Sequence, residues 1–144
     1  MIAMSVTMVL LLASVGLAFD LGRLYIARNE AQLYTDAAAL TAAARLDGTL
    51  EAVGRARSAV EHLPGSWNLG TQPFTGVVIE FSSDGMHWNA TPEKTGPSGA
   101  WTYARVSAPS NDLGIVFLRV AGGPESIRVL ASSAAQSNPV RLVE

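Results

Sequence analysis

The 144-residue sequence contains no cysteine, which excludes a disulfide framework, a Cys-ligated zinc site and a thiolate nucleophile. It also lacks any block of like charge, since ten Lys and Arg stand against twelve Asp and Glu spread along the chain. That balance argues against a nucleic-acid partner. Aromatic residues make up only 7% of a chain that is 49% hydrophobic, so its apolar content is Ala, Val and Leu rather than large core anchors. No proline precedes Pro64, and the first part of the chain can therefore stay helical. No HExxH motif, P-loop, Gly-rich dinucleotide motif or Ser-His-Asp arrangement occurs. No repeat of about 20–50 residues marks a solenoid or propeller. Nothing in the sequence calls for catalysis, and no cofactor or metal is expected.

What is present is concentrated at one end. Residues 1–19 carry no charged side chain, and as a helix they span about 28 Å at 1.5 Å per residue. A bilayer hydrocarbon core is roughly 30 Å thick. A cleavable secretory signal is the rival reading, but no basic region precedes the run and no small-residue cleavage site ends it. The run instead continues into Asp20-Leu21-Gly22-Arg23-Leu24-Tyr25 without a turn signal. Arg23 and Arg28 follow the span, and by the positive-inside tendency alone they would keep the C-terminal part in the cytoplasm. An outward-facing head then needs another explanation, one being a basic leader that preceded Met1, set the orientation and was removed.

The alanine-rich sequence to Leu46 predicts one helix over residues 2–46. Ile26, Leu33, Ala37, Leu40 and Ala44 recur along one face, and Leu24, Ala27, Ala31, Ala38 and Ala42 along another. A helix apolar on two sides is buried by more than one neighbour, either its own head or other helices. Asp47-Gly48 gives a stop, and Thr49 caps a second amphipathic helix over residues 50–63 with the stripe Leu50, Val53, Ala56, Val60 and Leu63. Three parts follow: a helix at 1–46, a second helix and connection at 47–64, and a β-rich head at 65–144. Within the head, GVVIEFS at 76–82 reads as a strand, Ser83-Asp84-Gly85 as a hairpin turn and residues 86–89 as the returning strand. Residues 91–99 read as a loop, and WTYARVSA at 101–108 alternates as a half-buried strand. Asn111-Asp112 reads as the cap of a short helix carrying Leu113, Val116, Phe117 and Val120, although the β-branched content of that segment favours a strand. Residues 126–136 read as one final strand with Ile127, Val129 and Ala131 on one face. The fold class is α+β, a long and partly transmembrane N-terminal helix carrying a small antiparallel β-sheet head.

Asp20 and Arg23, three apart on the helix at the edge of the span, form the most suggestive charged pair, suited to holding neighbouring helices in register. The alternative is an ordinary surface pair worth about 1 kcal/mol at most. Asp36 lies amid alanines, where a helix-interior Asp is unfavourable, so water or an arginine such as Arg28 or Arg45 is expected beside it. His62 and His87 lie on different elements, and neither they nor Glu80 and Asp84 have a metal-site spacing. Phe81, Trp88, Trp101 and Tyr103 read as packing residues of the sheet, with a binding platform as the alternative. Asn89-Ala90-Thr91 matches a glycosylation sequon, with Pro92 directly after it.

The run from Gly16 to Thr49 resembles the TadE/TadG-like proteins of tight-adherence pilus systems. It carries Asp20, Gly22, Arg23 and Tyr25, followed by Gln32, Asp36, Ala37, Ala38, Ala39 and Leu40. TYARVSA, GIVFLRVAG and SIRVLASSAAQ are similar to that family's C-terminal pattern. The resemblance implies a pilin-like structural subunit: a helix in the inner membrane, a head outside the cytoplasm, and assembly into a type IV-like filament at the cell surface. Its partners are then copies of itself or related pilins and the pilus assembly machinery, and its helix-packing residues Leu10, Leu17, Asp20, Arg23, Tyr25, Leu33, Asp36, Ala37, Leu40 and Ala44. One departure is Ser5, where peptidase-processed pilins carry Glu if Met1 is the mature terminus. It favours the alternative, a membrane-anchored accessory or binding protein of the same apparatus that does not polymerise.

Overall fold

A computed structural model describes residues 2–92 and 100–138. The first helix, α1, runs unbroken over Ile2–Ala43. Its last turn tightens as Arg45 and Leu46 donate to the Ala42 and Ala43 carbonyls, both at 3.0 Å. Gly48 then takes φ +94°, a left-handed conformation that favours glycine and turns the chain. Thr49 sits in extended backbone, and its hydroxyl accepts the Ala52 N–H at 3.3 Å, starting α2 (Leu50–Glu61). Asp47 braces this cap from outside. Its Oδ1 accepts the Thr49 N–H at 2.9 Å and hydroxyl at 2.6 Å, and its Oδ2 pairs with Arg55. The carboxyl is held below the usual Asp range, by the Thr49 hydroxyl first, then the Thr49 amide and Arg55.

The head is built from short strands. A tight hairpin of β1 (Ser66–Trp67) and β2 (Gln72–Pro73) comes first. β3 (Val78–Ser82), β4 (Tyr103–Ser107) and β7 (Ser132–Gln136) form a three-stranded antiparallel sheet in the order β3-β4-β7. β5 (Asn111–Gly114) and β6 (Ser126–Val129) pair beside it, joined through a single helical turn, α3 (Phe117–Val120). The expected α+β class, with its long apolar helix and small antiparallel head, is the observed one.

Two cores form along one side of α1. In the first, Ala38, Ala39, Ala42 and Leu46 meet Val53, Ala56 and Val60 of α2 and Ile79, Phe81, Ala104 and Val106 of the sheet. In the second, Leu24, Ala27 and Ala31 meet Trp67, Leu113 and Val129. Alanine is what allows this, because a backbone with small side chains lets sheet and α2 approach closely. Gly65 follows the same logic, since a side chain there would collide with the Tyr34 ring.

Three expectations within the head are corrected. Residues 86–89 do not form a returning strand. The Asp84 Oδ1 accepts the Met86 and His87 amides, each at 2.8 Å, and winds the chain into a loop; only Asn89 pairs back, with Phe81. The hydrogen-bonded neighbour of β3 is β4. Asn111 does not cap a helix, because it opens β5 and its buried side chain bridges the Thr75 amide (3.1 Å) and the Ala108 carbonyl (3.2 Å). Leu113 and Ile115 are buried while Asp112 and Gly114 are exposed, so the segment follows the two-residue period of a strand until α3. The final strand is two strands: β6 pairs with β5 and β7 with β4, and the chain changes sheets at Leu130-Ala131. The face of Ile127, Val129 and Ala131 does point into the second core. The loop expected at 91–99 lies, beyond Pro92, outside the described residues.

Candidate assembly surface on the long helix

The two faces of α1 have different fates. The face of Leu24, Ala27, Ala31, Ala38 and Ala42 is covered by the head. The opposite face is bare: Leu33 is 70% and Leu40 64% exposed, and Ile26, Ala37 and Ala44 share this face. Leu12 and Phe19, about half or more exposed, continue it toward the N-terminus, where Phe117 meets one edge of the Phe19 ring, so that Leu12, Phe19, Ile26, Leu33 and Leu40 recur at intervals of seven. The seven-residue interval was the signal that could have added Leu12 and Phe19 to the expected packing residues. Leu10 and Leu17 sit elsewhere, on the line that Leu24 continues beneath the head, yet both are exposed because the head does not reach them. Tyr25 is exposed beside the bare face. From Ala3 to Val15 every residue is exposed, and the helix is long and apolar enough to cross a membrane.

Asp20 and Arg23 on the same helix turn to the head instead. Asp20 is only 3% exposed. Its Oδ1 accepts the Val116 N–H at 3.2 Å, and its Oδ2 accepts those of Phe117 (2.8 Å) and Leu118 (2.7 Å). These are amides that the first turn of a helix leaves without intrahelical partners. Arg23 donates to the Gly114 carbonyl and to the Asn68 side chain, both at 3.2 Å, and its guanidinium lies 5.9 Å from the Phe19 ring centroid. The two side chains thus clasp the head. Glu30 accepts the Leu69 amide at the tip of the β1–β2 hairpin (3.1 Å).

Asp36 finds neither Arg28 nor Arg45. Its Oδ1 accepts from the Gln32 amide at 2.9 Å and from the Ser133 hydroxyl of β7. The fully buried Thr35 lies 2.9 Å from the same hydroxyl. A polar latch therefore fastens the middle of α1 to the edge strand of the sheet.

Elsewhere the chemistry is structural. Phe81 and Trp101 are buried in the sheet's packing. Trp88 lies beneath Arg105, whose guanidinium is 4.4 Å from the ring centroid and pairs with Glu80 at 2.7 Å. His87 joins Asp84 at 2.7 Å. Among the described residues no group of three His, Asp or Glu side chains is placed to hold a metal ion. Tyr34, Phe74 and Trp67 stack in sequence under a shallow groove edged by Val60, Leu63 and Val77.

The helix that holds both the bare apolar face and the head-clasping polar residues is also where the chain can be compared. Residues 1–45 match a family model described as putative Flp pilus-assembly TadE/G-like. No curated protein and no solved structure matches the chain. The TadE/G-like match supports a role in the Tad pilus system and an association with pilus machinery, and with the apolar helix it is consistent with membrane anchoring. The family is a pilus-assembly type rather than an enzymatic one. Asp20, Arg23, Gln32 and Asp36, four polar positions in the matched segment, each hydrogen-bond to the head. The likeness read in the C-terminal strands lies outside the matched residues.

Proposed function

We propose that the chain is a pilin-like structural subunit that assembles into a Tad filament through α1. The observation that carries this reading is the bare apolar face from Leu12 to Leu40, which stays exposed although the head already covers the opposite side. Exposed apolar stripes of this extent mark interaction sites, and Ala37 and Ala44 beside the leucines allow close approach of a second helix. The partners are copies of the chain or related pilins. Before assembly the residues up to Phe19 sit in the inner membrane with the head outside the cytoplasm, and afterwards the helices form the filament core. Leu33, Ala37, Leu40, Ala44 and Tyr25 serve the contact between subunits. Leu10 and Leu17 serve it within the apolar core, and Asp20, Arg23 and Asp36 hold the head in the orientation that contact needs. Residues 1–46 act as the assembling unit, 47–64 as the connection and 65–144 as the head.

Electron microscopy of shed surface material, with mass spectrometry of any filaments, tests this. The chain is expected in the filaments, and a doubly substituted Leu33→Glu, Leu40→Glu variant is expected to reach the membrane but not the filament. Recovery of the unaltered chain only from the membrane fraction overturns the reading in favour of a membrane-anchored accessory protein.

A further inference from the structure

We infer that α3 and the turn around it form a second membrane contact, a short apolar tip by which the head rests in the outer boundary of the bilayer beside its own helix. The inference rests on the membrane-inserted reading of α1 and goes beyond it by assigning a lipid-facing role to residues of the head. The uncharged run of α1 ends at Phe19, which puts the hydrocarbon boundary near Asp20. Phe117 lies against Gly16, so closely that a Cβ on Gly16 would meet the Phe117 ring at 2.7 Å. It also stands edge-on to Phe19, with ring centroids 5.6 Å apart. Phe117 therefore sits one helical turn inside the boundary that the sequence of α1 sets.

The side chains around it suit that depth. Val116 and Phe117 are about half exposed and Val120 is 87% exposed, in a turn that buries none of its own residues. Exposed valine and phenylalanine next to a helix segment of lipid-facing character continue one apolar surface, which makes lipid rather than a second protein the occupant argued here. Backbone polarity is the usual obstacle to placing a non-spanning segment at this depth, because unpaired N–H groups are costly in lipid. Here it is met within the subunit: Asp20 accepts the amides of Val116, Phe117 and Leu118. At the other end, Ala121, Gly122 and Gly123 donate to the Leu118 and Arg119 carbonyls. Arg119 is exposed beside Val120 and paired with Glu125 at 3.0 Å. Its long stem lets the guanidinium reach the headgroup level while the neighbouring side chains stay below.

The chain has no cysteine, so single-cysteine variants of the full-length protein can each carry one environment-sensitive fluorophore. The variants are Val120→Cys at the tip, Leu10→Cys in the span and Met86→Cys, an equally bare apolar site on the loop that follows β3. They are reconstituted into phosphatidylcholine and phosphatidylglycerol vesicles containing lipids spin-labelled at a shallow or a deep acyl position. A group lying ~5–10 Å into the boundary should lose about twofold more emission to the shallow quencher than to the deep one. The expected result is that pattern at Val120→Cys, the reverse at Leu10→Cys, and no quenching at Met86→Cys. If Leu10→Cys is quenched but Val120→Cys is not, the tip is not in lipid and the inference fails alone, whether the label is in water or covered by another subunit. Equal quenching at Met86→Cys also overturns it, since the head would then lie on the bilayer without a defined tip. Loss of quenching at Leu10→Cys overturns the membrane-inserted reading, and the inference falls with it.

Discussion

Asp20 and Phe117 are joined twice: the Asp20 Oδ2 accepts the Phe117 amide at 2.8 Å, and the Phe117 ring closes over Gly16 and against Phe19 on the same side of α1. The carboxylate and the ring hold α3 to the helix by independent means. Replacing the carboxylate should therefore release the backbone of α3 while leaving the sheet intact. In Asp20→Ala, amide hydrogen exchange at Val116, Phe117 and Leu118 is expected to accelerate by about 2- to 30-fold, the range that losing a cap worth about 0.5–2 kcal/mol gives. The amides of β3 and β4 should keep their protection. Equal acceleration in the sheet would show that Asp20 supports the fold as a whole.

The helix is part of the head's core, not only its carrier. Ala38, Ala39, Ala42 and Leu46 complete the first core and Leu24, Ala27 and Ala31 the second. A protein beginning at Asp47 is expected to lack a cooperative thermal transition, because both cores lose one wall. One beginning at Phe19 should keep the transition and the near-ultraviolet dichroism of buried Trp67 and Trp101.

Adjacent alanines should respond in opposite ways. Ala38 is fully buried, and Ala38→Leu is expected to cost about 1–3 kcal/mol by overpacking. Ala37 is exposed, so Ala37→Leu should change the stability of the isolated subunit by less than about 0.5 kcal/mol. Its effect should appear in filament yield instead. Denaturant unfolding of both variants, set beside filament recovery, separates packing within the subunit from packing between subunits.

Phe81 is wholly buried in the sheet face that meets α1 and α2, with Arg57 over its ring at 5.7 Å. Phe81→Ala is expected to destabilise the head by about 3–5 kcal/mol, read as a lower midpoint of urea unfolding. It should do so without altering the bare face of α1.

Asp84 carries a pH dependence of known sign. His87, through its ring and its amide, then the Met86 amide and the Ser82 hydroxyl, hold the Asp84 carboxyl well below the ordinary Asp range. A carboxyl whose pKa is depressed by folding stabilises the folded form above its unfolded pKa, and that contribution fades as pH falls through the lower, folded value. The loop over residues 83–89 should thus stay ordered at mildly acidic pH and loosen only in strong acid. Carboxyl-detected NMR titration checks this, and an Asp84 midpoint near the ordinary value would contradict it.

Elements whose pattern is local were legible in the sequence. The length of α1, the Thr49 cap with the Val53, Ala56 and Val60 stripe of α2, and strands β3 and β4 follow from propensity, capping and periodicity within a few residues. The family resemblance was legible for the same reason, since its residues lie along one helix. Features decided by distant pairing were not. The partners of Asp20 lie as far as 98 residues away and the Ser133 partner of Asp36 lies 97 away. Asp20 and Arg23 stand at helical spacing, and nothing local shows that each hydrogen-bonds a different part of the head. The segment after Asn111 misled because Leu113, Val116, Phe117 and Val120 do recur at helical spacing, yet Leu113 is buried as part of a strand while the other three stay exposed. Where the last strand breaks depends on which neighbour, β5 or β4, each half finds.

The seven-residue interval of Leu12, Phe19, Ile26, Leu33 and Leu40 bears on handedness. A straight α-helix does not repeat every seven residues, so such a line drifts by about 20° per interval relative to the helix axis. In a bundle joined along this line the helices must wind about one another in the left-handed sense, crossing at roughly 20° as in coiled coils. The head is fixed to the opposite side of the same helix by Asp20, Arg23 and Asp36. In such a bundle it would be carried around the outside by that winding, and its rotation from one level to the next would follow the spacing of these five apolar side chains.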